Sequence, residues 1–139
     1  MGIWETDVDN VLDRIKKWKP GTLATEAEYE EALYAFLHEE FPKEVFIRQY
    51  IHSKTRADIY VHFNDAAQVA VEVKAHLTDR NEYHRMLGQL WTYTHEWKCE
   101  VVLVVCGTND PALVKLAERY ISFLDGNQDK KVRFIEVKA

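Results

Sequence analysis

Gln68-Val69-Ala70-Val71-Glu72-Val73-Lys74-Ala75 decides how this 139-residue chain is read. Successive side chains of a strand point to opposite faces, so Val69, Val71 and Val73 go one way while Glu72 and Lys74 go the other. A carboxylate and an amine buried together in a sheet are costly unless something compensates them. A metal ion and a phosphate group would do so. Upstream, Asp58-Ile59-Tyr60-Val61-His62-Phe63 forms a second alternating run that begins with another carboxylate.

The two runs are close enough in sequence to pair as a hairpin turned near Asn64-Asp65. If Asp58 lies opposite Lys74, then Tyr60 lies opposite Glu72. Asp58, Glu72 and Lys74 then share one face, with both acids within reach of one ion. A two-residue turn at Asp65-Ala66 would send Asp58 to the wrong face. The expectation is therefore a three- or five-residue loop, or a bulge, near 64–67. Two acids and a lysine converging on one sheet face point to metal-assisted cleavage of a phosphodiester.

Working outward, Val8, Leu12, Ile15 and Trp18, with Trp4 before them, predict an amphipathic helix ended by Pro20-Gly21. Thr25-x-x-Glu28 resembles a capping box, opening a helix with Tyr29, Ala32, Leu33, Phe36 and Leu37 on its core side. A strand is expected around Val45–Ile51, ahead of the hairpin. Asp79-x-x-Glu82 starts a helix with Tyr83, Met86, Leu87, Leu90, Thr94 and Trp97 facing inward. Glu100–Cys106 reads as a strand buried on both faces. Asp110-Pro111 opens a further helix expected to break at Asp125-Gly126, and Val132–Val137 is a last strand. The order ααβββαβαβ predicts one α/β domain with a mixed sheet and helices on both faces.

Composition narrows the function. With 47% apolar residues, the chain can bury about two thirds of its unfolded surface in one core. No apolar run reaches the roughly 20 residues of a membrane span, and the start lacks a signal peptide's pattern. The net charge of −5 argues against a protein that coats nucleic acid indiscriminately. It leaves a nuclease open, because an empty metal site adds carboxylates to the count. Cys99 and Cys106 are seven apart on one strand and point to opposite faces, so they read as buried free thiols of a reducing cytoplasm. Arg48 to Arg56 is locally basic and suits either a backbone phosphate or a solvated strand edge.

Glu-x-Lys is a weak signal alone, and Glu136-Val137-Lys138 repeats it near the C-terminus. The first copy stands out by its company. Arg56-Ala57-Asp58, then Glu72-Val73-Lys74, then Gly88-Gln89-Leu90 resemble the PD-(D/E)XK nuclease superfamily, with its restriction-endonuclease-like fold. The similarity covers roughly 25–106, whose αβββαβ order is that of the fold's common core. Residues 1–20 would be an appended helix, and 107–139 a C-terminal helix and strand. Ala57 replaces the proline usual before the first acid.

The resemblance implies a nuclease acting most of all on DNA. Asp58, Glu72 and the Val73 carbonyl would hold Mg²⁺, or Mn²⁺ in its place, with water completing the shell. Lys74 would orient the attacking water or stabilise the transition state. Members often carry a glutamate on the first core helix; Glu30 fits best and Glu26 next, and Glu30 would bind the metal through water or help a second metal. Gln89 matches the glutamine of the following helix. Arg56, Arg85 and His76 are candidate substrate contacts. So small and acidic a domain would cut duplex or branched DNA as a homodimer or within a larger assembly. The alternative is a catalytically silent module of the same fold that binds nucleic acid or protein.

Other chemistries find little support. The six histidines lack helical i, i+4 pairing, there is no Cys-x-x-Cys, and no Gly-rich phosphate loop occurs. Cys106 lies in a core strand, where a thiolate is suppressed. Trp91, Tyr93 and Trp97 could stack on bases or a partner, or simply fill the core.

Overall fold

The computed structural model describes residues 7–52, 55–63, 68–97, 99–127 and 132–138. Trp4 and the hairpin loop at 64–67 lie outside the described residues. The chain runs α1 (Asp7–Ile15), α2 (Glu26–Glu40), β1 (Phe46–His52), β2 (Thr55–His62), β3 (Gln68–Ala75), α3 (Arg80–His95), β4 (Glu100–Cys106), α4 (Pro111–Asn127) and β5 (Val132–Val137). The five strands form one sheet in sequence order. β1, β2 and β3 pair antiparallel, while β3, β4 and β5 pair parallel. This is the expected mixed α/β architecture with an αβββαβ core.

Two apolar clusters sandwich the sheet. On one face, Val8, Val11, Leu33 and Leu37 of α1 and α2 pack against Val71, Val73, Val102 and Val104. On the other, Met86, Leu90 and Leu113 of α3 and α4 pack against Ala70, Leu103 and Val105. β4 is buried from Val101 to Cys106, as its unbroken apolar run requires. Cys99 and Cys106 are buried in opposite clusters.

Local chemistry sets the helix starts. Thr25 caps α2, its Oγ1 accepting from the Glu28 amide at 3.2 Å. The other half of a capping box is replaced by a bond from the Thr25 hydroxyl to Glu28 Oε1 at 3.0 Å. Asp79 caps α3 by accepting from the Asn81 amide at 2.7 Å.

Three expectations need correction. The N-terminal helix stops at Ile15 rather than at Pro20, and Trp18 packs into the core from the segment beyond it. α4 continues through Asp125-Gly126 to Asn127, because a single glycine lowers helix propensity without forbidding a last turn. The β2–β3 register is displaced by two residues: Ile59 faces Val71 and His62 faces Gln68, leaving five residues between them. A shift of two keeps every side chain on its face, so hydrophobic alternation cannot distinguish the two registers.

Candidate active site at the fork of two strands

β2 and β3 pair only from Ile59↔Val71 to His62↔Gln68, and beyond that level they part. Asp58 stands in the opening. Its Oδ2 accepts from the Val73 main-chain amide at 2.9 Å, a side chain doing the work of a ladder bond. Glu72 is 1% exposed and Lys74 7%. Lys74 Nζ lies 3.7 Å from Glu72 Oε2 and 3.7 Å from Glu26 Oε1 at the start of α2. The expected convergence of Asp58, Glu72 and Lys74 is thus present.

The electrostatics of the fork are strained. Burial pushes the Glu72 carboxyl well above its ordinary range, and the charge of Asp58 pushes it further. Asp58 is also raised by burial, although the Val73 amide and Lys74 work against that. Burial likewise raises Glu26, with Lys74 opposing. Two desolvated acids this close cannot both ionise cheaply without a cation.

Tyr93 was missed as a site residue. It is wholly buried on α3, with its hydroxyl 2.7 Å from Glu72 Oε1 and 2.9 Å from the Arg56 carbonyl oxygen. A phenol has one proton for these two acceptors, so it ties β2, β3 and α3 together at the acid pair. Its position one helical turn after Gln89 was the available signal. Trp97 also joins the core, while Trp91 is 46% exposed and stacks on His95.

The remaining candidates take varied places. Gln89 lies one turn before Tyr93, and its side-chain Oε1 is buried without a hydrogen-bond partner. Arg85 is exposed and bonds Glu82 Oε1 at 2.9 Å. The Arg56 side chain is exposed, yet its charge is felt at Asp58. Glu30 is buried on α2 and paired with Arg48 Nη2 at 3.5 Å and with the Gln49 side-chain amide. Burial raises its pKa, and Asp58 adds to the effect. Arg48 and Gln49 were not expected as partners of that glutamate.

His76 lies just past the end of β3, with φ +53°. Both ring nitrogens are engaged with the main chain. Nδ1 accepts from the Thr108 amide at 3.1 Å, which leaves Nε2 to donate to the Leu23 carbonyl at 3.0 Å. Gly107 (φ +79°) lies against this ring; a Cβ there would come within 2.5 Å of His76 Cε1.

The oxygen-rich fork suits a small hard cation. Among the described residues, no group of three or more His, Cys, Asp or Glu is placed to hold a metal. Asp58 and Glu72 are the carboxylates of the fork that could hold such a cation, and a hard ion of this kind fills the rest of its shell with water.

No protein-family model and no curated protein matches the chain. Solved structures similar in fold include a repair endonuclease from Pyrococcus abyssi, at 20% identity and a TM-score of 0.46, over 84% of this chain and 50% of that one. Another is the EndoMS-dsDNA2 complex, at 17% identity and a TM-score of 0.45, over 86% and 49% respectively. The chain spans about half the length of each. No helix among the described residues is long and apolar enough to cross a membrane.

Proposed function

We propose that the chain is a Mg²⁺-dependent nuclease of the PD-(D/E)XK superfamily that hydrolyses phosphodiester bonds in DNA. The observation that carries this reading is the fork itself: two desolvated carboxylates, Asp58 and Glu72, with the Lys74 ammonium 3.7 Å from one of them. Burying those charges makes little sense for stability, and good sense if a dication and a phosphate complete the set. Asp58, Glu72 and the Val73 carbonyl would hold the ion. A bound dication supplies charge neutralisation and a more acidic water.

The chain's own groups do the rest. Lys74, presented by a rigid central strand, orients the attacking water and stabilises charge growing on the phosphoryl oxygens. Glu26 holds the ammonium from the opposite side. Tyr93 fixes the Glu72 carboxylate through Oε1, leaving Oε2 directed toward Lys74. The unpartnered Gln89 oxygen suits a donor such as an ammonium or water, and its amide nitrogen suits a phosphate oxygen. Arg56, whose charge reaches Asp58, and Arg85 on α3 are the phosphate contacts in this reading.

An acidic domain of this size makes few phosphate contacts alone, so we place it in a homodimer or a larger assembly when it engages DNA. The test is cleavage of linear, nicked and branched DNA with Mg²⁺ or Mn²⁺, by wild type and by Lys74→Ala. No cleavage by wild type, with Mn²⁺ titrations that coincide for wild type and Asp58→Ala, would leave the silent binding module as the better account.

A further inference from the structure

β1 and β2 share a defect at one level. They pair on either side of it, through Arg48↔Ile59 and Tyr50↔Ala57, but Gln49 and Asp58 between them do not pair. Gln49 has φ +53°, a left-handed conformation uncommon for a residue with a side chain.

The defect turns over the faces of both strands. In a regular strand, Phe46 and Tyr50 would share a face, as would Ala57 and Ile59. Here Phe46 and Ile59 pack with α1 and α2, whereas Tyr50 and Ala57 pack with α3 and α4. Both strands turn over together, so their register survives. Asp58 lies at the crossover, and that is how its carboxylate reaches the Val73 amide between the diverging strands.

The side chain of Gln49 explains why the crossover stays where it is. Because alternation fails at this residue, adjacent Arg48 and Gln49 both reach Glu30 on α2. The guanidinium of Arg48 also lies 5.9 Å from the centre of the Tyr34 ring. A buried glutamate on a rigid helix is a firm anchor, and the Gln49 amide ties the left-handed residue to it.

Resting on the nuclease reading, we propose that Gln49 is a positioning residue for Asp58. Its left-handed backbone and its amide bond to Glu30 set the point at which Asp58 leaves the sheet. Gln49 touches neither ion nor substrate; it acts through the backbone opposite. Glu30 then serves as the anchor of that brace.

The experiment compares Gln49→Asn and Gln49→Gly with wild type in the full chain. Both replacements accept φ > 0, and neither can carry an amide to Glu30. Two readouts are taken: Mn²⁺ affinity by calorimetry, and the Val73 amide resonance of the metal-free protein by NMR. Both variants should melt within a few degrees of wild type and bind Mn²⁺ about tenfold more weakly, the usual effect of losing an outer partner of a metal ligand. The Val73 amide should move upfield as its bond to Asp58 lengthens.

Unchanged affinity together with an unchanged Val73 resonance in folded variants would overturn the proposal. If wild type binds no Mn²⁺, the nuclease reading falls on its own, and the Val73 resonance alone decides the role of Gln49.

Discussion

Glu72-Val73-Lys74 and Glu136-Val137-Lys138 are the same three letters on two strands of one sheet, and only in the first are the glutamate and the lysine both buried. The register sets Glu136 level with Lys74, two strands away, through Val105. Yet β5 is an edge strand, and Glu136 is half-buried with an ordinary partner, the Asn109 side-chain amide at 3.2 Å. Glu72 is sealed between α3 and the diverging β2, beside a second acid and a lysine. Three letters do not make the difference. The neighbouring strand that parts to admit Asp58 does.

The contrast can be broken most directly at the lysines. Lys74→Ala should lower the cleavage rate by about 10²–10³-fold, the usual cost of losing a charge stabiliser in a dry site. Lys138→Ala should leave the rate unchanged, and equal losses in single-turnover assays would erase the distinction. At the glutamates, Glu72→Gln should weaken Mn²⁺ binding by at least about tenfold while Glu136→Gln does nothing, as read by calorimetry. Tyr93→Phe should cost roughly tenfold in rate, because Glu72 Oε1 loses its donor while the ring still packs. Rates matching wild type would make Tyr93 merely a core residue.

The smallest effect is thermal. Glu72 has a raised pKa in the folded chain, so its native state holds the proton more tightly than the unfolded one. The stability linked to it is full below the ordinary value of 4.5 and is lost as pH rises through the higher folded value. The melting temperature of the metal-free protein should therefore fall as pH climbs above that point. Glu72→Gln should flatten the profile and add on the order of 1 kcal/mol at pH 8, whereas Glu136→Gln should leave the slope intact. Parallel pH–Tm curves for wild type and Glu72→Gln would sink the idea.

The elements were legible because their patterns are simple. Glu100–Cys106 and Val132–Val137 are the strands expected to the residue, the first a nearly unbroken apolar run and the second rich in β-branched and aromatic residues. Asp79 as a helix cap was equally plain. Face arithmetic, which tolerates a slip of two, predicted a meeting of Asp58, Glu72 and Lys74 but not the way it comes about. What alternation could not reveal was the crossover at Gln49 and Asp58, because nothing in Arg48-Gln49-Tyr50 announces a left-handed glutamine. Strict alternation put Asp58 on the face of Glu72 and Lys74; its carboxylate meets them through a break in alternation instead. Tyr93 was hidden for another reason. A buried tyrosine looks like core until its hydroxyl finds a carboxylate.

His76 shows how far the geometry of the fork depends on distant backbone. Its imidazole is bolted at both nitrogens, to Leu23 on the approach to α2 and to Thr108 after β4, and residue 107 lies against it. The ring is half-buried and tied to two separate segments of main chain. Any side chain at position 107 must displace that ring, and its bond to Leu23 is the link from there to the segment that leads into α2. A missing side chain after β4 is thus what lets one histidine join the two segments.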